Sequence, residues 1–306
     1  MIKHTLEISQ GPAHLCVRLG QLVIRRGDET LGRVPIEDVG ILVVDHPSVT
    51  YTHATLAQLA DHGAVVVVCG ANHLPAAVVQ PMADHTQIVW RLEEQLAVGT
   101  VAKKQLWRQI VQAKIRAQAA NLQASCPGRA KLLAMARNVR SGDASNREAQ
   151  AAKVYWKHWL PGEPFRRDPD GDGLNVLLNY GYAIVRAAVA RALVAGGLLP
   201  ALGLHHSNRG NAFCLADDLI EPLRPLVDAQ VRSLHDANHA ALDQPAKAGL
   251  LELLAEPVQF GNRRGPLMVN LHRTVASLAR CLRGESQTLE FPKRCSSQDT
   301  EACGSG

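Results

Sequence analysis

The hydrophobic period of this chain changes once, near residue 89, and that change limits it to a strand-built beginning and a helix-built remainder. Residues 2–8 and 15–19 alternate apolar and polar, and Gly20-Gln21 turns the second run into 22–24. Residues 39–45 and 64–69 are near-continuous apolar runs, the pattern of strands buried on both faces. Between them, 55–63 has helical spacing and ends on a glycine. After residue 89 the spacing is helical throughout. Helices are expected over 93–122 (as one or two), 130–137, 146–159, 174–195, 216–235, 244–255 and 266–283, with a break at Pro127-Gly128. A Pro/Gly/Asp-rich loop fills 160–173. The expected fold is α+β: a small N-terminal β-rich domain (1–88), a larger all-helical domain (89–290) and a disordered tail (291–306).

With 306 residues and 46% hydrophobic content, the chain can bury a sizeable core, and disorder is excluded as a class. No apolar run reaches the roughly 18 residues of a membrane span, and the start lacks a signal core, so a soluble cytoplasmic protein is expected. Seven scattered cysteines without a Cys-x-x-Cys pair read as reduced thiols, not as a disulfide frame or zinc cluster. The net charge of +5 is unevenly spread. Residues 91–147 hold eleven Lys or Arg against Glu93, Glu94 and Asp143, which is +8 and leaves −3 for the rest. A basic middle on a near-neutral chain suits a polyanion, and 4% aromatic content favours backbone contact with a duplex over base stacking.

The chemistry-bearing residues are few. Glu148 shares a helix face with Ala151, Ala152 and Tyr155, a costly place for a carboxylate without a cation; Arg147 or Lys153 could pair with it structurally. His205 and His206 stand at a helix-to-loop exit, and spacing alone does not rank them. Asp218 and Glu221 fall on one helical face at i, i+3, while Asp217 competes at i, i+4; acids here could equally serve a helix dipole. One imidazole and two carboxylates suit a Mn²⁺ or Mg²⁺ acting on phosphodiesters. The run Asp168-Pro169-Asp170-Gly171-Asp172-Gly173 imitates a calcium loop, but Asn179 stands where the bidentate glutamate belongs.

Six segments, at 34–42, 106–115, 146–156, 175–183, 203–206 and 218–225, closely resemble in order and spacing the CRISPR-associated spacer-acquisition integrases of the Cas1 family, in its type II branch. The family pattern Gly-x-x-His falls on Gly203 and His206, Asp-Leu-x-Glu on Asp218 and Glu221, and the first-helix glutamate on Glu148. The resemblance implies catalytic metal ligands Glu148, His206 and Glu221, with Mg²⁺ or Mn²⁺ as cofactor. It implies joining of the 3′-hydroxyl of a short spacer DNA to a CRISPR repeat by transesterification, so that the DNA brings the nucleophile. It further implies double-stranded DNA as substrate, a homodimer formed through the N-terminal domains, and a dimer of the small protein Cas2 flanked by two such dimers. The alternatives are a stand-alone nuclease for branched DNA and a non-catalytic DNA-binding scaffold.

Overall fold

The computed structural model describes residues 3–82 and 85–295. Its first part is built on two four-stranded sheets. In one, β2 (Ala13–Arg18), β3 (Gln21–Arg26) and β4 (Glu29–Pro35) form an antiparallel meander, and β6 (Val49–Tyr51) lies parallel to β2. The β2–β3 hairpin turns on Leu19 and Gly20, both at positive φ (49° and 71°), the combination a two-residue type I′ turn requires. The other sheet runs β1 (His4–Ile8), β5 (Val39–Val44), β7 (Val65–Cys69), β8 (Pro75–Val79), parallel except for the last strand. Helix α1 (His53–Asp61) links β6 to β7, and the Thr52 hydroxyl caps it by accepting from the Thr55 amide at 3.3 Å.

Every residue of β5 is buried, and alternation explains why. Leu42, Val44 and Val66 face a small core shared with Leu15, Leu22 and Leu59 of the other sheet and α1. Ile41, Val43, Val65 and Val67 face the opposite way, into the large core of the helical part. The strand-rich and helical parts are thus packed through one face of a sheet. A buried ionic contact reinforces the junction: Lys247 donates to Asp45 and lies 3.9 Å from Glu7, while His73 Nδ1 is 3.1 Å from Asp45.

The helical part comprises α2 (Ile88–Ala97), α3 (Thr100–Asn121), α4 (Pro127–Arg137), α5 (Arg147–Trp159), α6 (Leu174–Ala195), α7 (Cys214–Ile220), α8 (Arg224–Asp236), α9 (Gln244–Glu252) and α10 (Leu267–Leu282). Pro127 begins α4 at N1, where its missing N–H costs nothing. The run expected over 216–235 is two helices, because Pro222 and Pro225 force a turn over 221–223. Among the described residues α6 alone is long and apolar enough to cross a membrane; 78% of its apolar window is buried inside the protein, as befits a core helix. The helical part is mostly, not wholly, helical: β9 (Pro257–Phe260), β10 (Arg263–Pro266) and β11 (Lys293–Arg294) form a small antiparallel sheet. That sheet carries an ordered strand into the expected tail; residues 296–306 lie outside the described ones. The six described cysteines are free thiols.

Candidate active site

A stripe on α3 organises the site. Trp107, Lys114 and Asn121 recur every seven residues and therefore lie close to one line along the helix. Each anchors a different element. Trp107 stacks on His205 (ring centroids 4.2 Å, planes 4° apart) and meets His206 edge-on at 5.6 Å. Asn121 Nδ2 donates to Tyr155 Oη of α5 at 3.0 Å and to the Pro225 carbonyl of α8 at 2.6 Å. Lys114, between them, donates to Glu148 Oε1 at 2.5 Å and also to Glu221 Oε2.

Glu148 stands in the first turn of α5. Asn146, at φ 50°, makes no side-chain cap there; instead the Asp143 carboxylate accepts from the amides of Arg147 (2.8 Å) and Glu148 (3.0 Å). Glu221 caps the C-terminus of α7 and is nearly buried. Its other oxygen accepts from Arg224 Nε at 2.8 Å, and the Arg224 guanidinium lies over the Tyr182 ring at 4.5 Å. Burial would raise the Glu221 carboxyl, but the charges and hydrogen bonds of Arg224 and Lys114 hold it down at about 2. Burial likewise opposes the charge on Lys114, yet Glu221 and Glu148 raise it, so the ammonium persists.

The loop 203–206 is fastened to α7 by Asp218, which is fully buried. Its carboxylate accepts from the amides of Leu204 (2.6 Å), His205 (3.1 Å) and His206 (3.2 Å) and pairs with His206 Nδ1 at 2.7 Å. The Asp218 hydrogen bond raises the His206 pKa against the lowering effect of burial, and the Glu221 charge adds to the rise. Engagement of Nδ1 leaves Nε2 as the nitrogen for any ligand role. Gly203 has a steric reason: a Cβ there would run into the His206 carbonyl oxygen and stand 3.0 Å from Asp218 Oδ2. The spacing Gly-x-x-His therefore reflects a tight loop wrapped on a carboxylate.

Of the expected site residues, Glu148 and Glu221 meet on Lys114. His206 is close enough for the Glu221 charge to act on it, but no group of three His, Cys, Asp or Glu among the described residues stands ready to cage an ion. His205 is committed to Trp107. Asp217, in the first turn of α7, holds the preceding loop instead, accepting from Asn211 Nδ2 at 2.6 Å with Arg186 at 3.6 Å. The expected structural partners of Glu148 lie elsewhere: Arg147 donates to Gln150 at 2.9 Å, and Lys153 is exposed. Sequence reasoning missed Lys114 as the partner, because it was counted among the phosphate-neutralising basic residues; its side chain is only 12% exposed. The stripe with Trp107 and Asn121 was the signal that could have found it. Beneath the site, Asp228 is buried against the Tyr182 hydroxyl, and burial pushes its carboxyl up to about 7.

The family model of CRISPR associated protein Cas1 matches residues 6–247, a span that contains all six segments noted above. The chain belongs to the Cas1 family. It is 38% identical over 272 residues, 88% of either chain, to a CRISPR-associated endonuclease Cas1 of Neisseria meningitidis serogroup C (strain 8013). Its fold is that of a casposase bound to integration product (TM-score 0.78, 19% identity, covering 99% of this chain and 98% of that one). A Cas6-RT-Cas1–Cas2 complex contains the same Cas1 fold (TM-score 0.72, 17% identity), which covers 94% of this chain and 36% of that longer one.

Proposed function

We propose that this protein is a metal-dependent DNA endonuclease and integrase of CRISPR adaptation, with Glu148, His206 and Glu221 as the catalytic metal ligands. The observation that carries the reading is the Lys114 ammonium held between the two glutamates. A cation already stands between carboxylates from separate helices, and an ion taking its place would find two hard oxygen donors, with the His206 imidazole nearby. That donor set fits Mg²⁺ or Mn²⁺, and its nitrogen favours Mn²⁺. When bound, such an ion polarises a scissile phosphate and stabilises the charge that develops on it.

In the proposed reaction the 3′-hydroxyl of a short duplex attacks a phosphodiester at the repeat. A new P–O bond forms as the old one breaks and frees the 3′-hydroxyl of the cut strand. The chain's own residues prepare this. Arg224 keeps Glu221 ionised, Asp143 fixes the first turn of α5, and Asp218 sets the His206 ring. Exposed Lys104, Arg116, Lys131, Arg137 and Arg140 of the basic region take DNA backbone, so that phosphates position the duplex without reading sequence. Support for DNA as a partner comes from a solved Cas1–DNA complex of the same fold, and for Cas2 from the Cas1–Cas2 complex. The strand-rich region 1–88 serves dimerisation and the region 89–290 catalysis in this account.

The same lysine favours a second reading, a DNA-binding scaffold in which Lys114 neutralises the glutamates permanently. A joining assay between a labelled short duplex and a repeat-bearing plasmid separates the two. Wild-type protein with Mn²⁺ should join; Glu148→Gln, His206→Ala and Glu221→Gln should bind DNA without joining it. Joining by the wild type in excess chelator, or none with any divalent ion, would overturn the integrase reading.

A further inference from the structure

Glu7 is a carboxylate where packing favours an apolar side chain. Its neighbours in β1, Leu6 and Ile8, face the small core, so alternation turns Glu7 toward the helical part. Its partner in register, Val43, is buried there in the large core. Around Glu7 stand Ser9 just past β1, Asp45 just past β5, Cys69 of β7, Tyr180 of α6 and Lys247 of α9; His73, between β7 and β8, lies against Asp45. Charge in this cluster does not balance, because two carboxylates share one ammonium. Lys247 donates to Asp45 and lies 3.9 Å from Glu7 Oε1. The His73 imidazole, more than half exposed, also pairs with Asp45, at 3.1 Å, and not with Glu7. The Glu7 side chain is nine-tenths buried, and neither its Oε1 nor the buried Tyr180 hydroxyl makes a hydrogen bond of ordinary geometry among the described residues.

An ionised Glu7 leaves one buried negative charge without a cation of its own, a costly state; one proton on Glu7 restores neutrality and turns the carboxyl into a donor. We propose that Glu7 is a proton-dependent latch between the strand-rich and helical parts: holding its proton it lets the sheet close on α6 and α9, and on ionising it loosens that junction. Burial raises the Glu7 carboxyl above its ordinary value, although Lys247 opposes the rise. The Cys69 thiol, pushed up to about 12 by burial and then by the Asp45 charge, stays neutral throughout. The folded protein therefore binds this proton more tightly than the unfolded chain does. The stabilisation is complete below the ordinary glutamate range and is lost as pH rises through the raised value. The latch lies outside the glutamate site and does not depend on the joining reaction. Tyr180 faces the latch, whereas Tyr182, about 200° further round α6, lies under Arg224.

Hydrogen exchange of the full chain between about pH 5 and about pH 8.5 tests this, read as protection factors so that the pH dependence of the chemical step cancels. In the wild type, protection of β1 and α9 should fall severalfold over that range, beyond any fall in α3, which reports global opening. Glu7→Gln keeps the shape of the side chain without its charge, and Glu7→Met supplies a second neutral side chain in case the first folds poorly. In both, the excess fall should vanish and protection at the alkaline end should match that of the wild type at the acid end. His73→Ala and Asp228→Asn should retain the excess fall, since neither carries the latch proton. An excess fall that persists in Glu7→Gln and Glu7→Met, or that is absent from the wild type, would overturn the proposal. So would its abolition by His73→Ala or Asp228→Asn, which would move the proton to the imidazole or to the carboxyl beneath the active site.

Discussion

Replacing Lys114 by Met keeps the length and apolar stem of the side chain and removes only the ammonium. In the wild type that ammonium touches Glu148, a quarter exposed, and Glu221, 7% exposed. A unit pair near 4 Å is worth about 4 kcal/mol at an effective dielectric of 20, before the cost of desolvating the lysine is subtracted. Discounting the Glu148 contact for solvent screening leaves a net loss of about 2–4 kcal/mol, because Glu221 keeps Arg224 but Glu148 keeps no cation among the described residues. In chelator, Lys114→Met should therefore melt several degrees below wild type. A divalent ion must displace Lys114 to reach both glutamates, so the same energy reappears as affinity: Mn²⁺ should bind the variant about one to three orders of magnitude more tightly. Added Mn²⁺ should then restore the melting temperature. Calorimetric titration of Mn²⁺ into both proteins, with thermal unfolding in chelator and in Mn²⁺, measures each part. Unchanged or weaker Mn²⁺ binding in Lys114→Met would refute the idea that the lysine occupies the ion's place.

Three further outcomes are expected. His206→Ala and Asp218→Ala should both abolish joining, and Asp218→Ala should also cost stability by stranding three amides of the 203–206 loop; His205→Ala should lose its stack on Trp107 and its edge contact with His206, about 0.5–1.5 kcal/mol for each such ring pair, and keep substantial joining activity. The raised Asp228 carboxyl makes the folded state bind a proton that the unfolded chain releases between about pH 4 and 7, so wild-type stability should fall as pH rises through that window; Asp228→Asn should flatten the fall and be the more stable protein at pH 8 by on the order of a few kcal/mol, whereas parallel stability–pH curves would contradict it. Duplex affinity should fall with salt at a log–log slope of about −0.9 per phosphate neutralised; removing the charges of Lys104, Arg116, Lys131, Arg137 and Arg140 in pairs should flatten it, and a slope unmoved by every pair would leave the basic region a merely solvated surface.

The elements most legible in the sequence were those under the strongest single constraint. Residues 39–44 must be covered on both faces because no polar residue interrupts them, and they are the strand between the two cores. Residues 174–195 carry apolar side chains almost all round, and α6 is the central helix. Short pieces were not legible: Val49–Tyr51 and Pro257–Phe260 are too brief for a period and are strands only because neighbours pair with them. At the site, Glu148 could be singled out as a carboxylate on an apolar face and Glu221 by the family pattern, but not what neutralises them. Lys114 lies 34 residues from Glu148 and 107 from Glu221, so its role is a product of the packing of α3 against α5 and α7. The clamp by Asp218 was likewise hidden, since an acid at that position reads equally as a helix-dipole residue.

In the proposed mechanism Glu148 and Glu221 hold a divalent ion in the DNA complex that joins strands. The spectrum of free Mn²⁺, followed by electron paramagnetic resonance as protein–DNA complex is added, tests it without relying on turnover. Wild-type complex should remove Mn²⁺ from the free pool in proportion to protein, and Lys114→Met should do so at lower concentration. Glu221→Gln complex, binding DNA equally well, should leave the free signal unchanged and form no joined product. Depletion of free Mn²⁺ by Glu221→Gln equal to that by wild type would contradict the account.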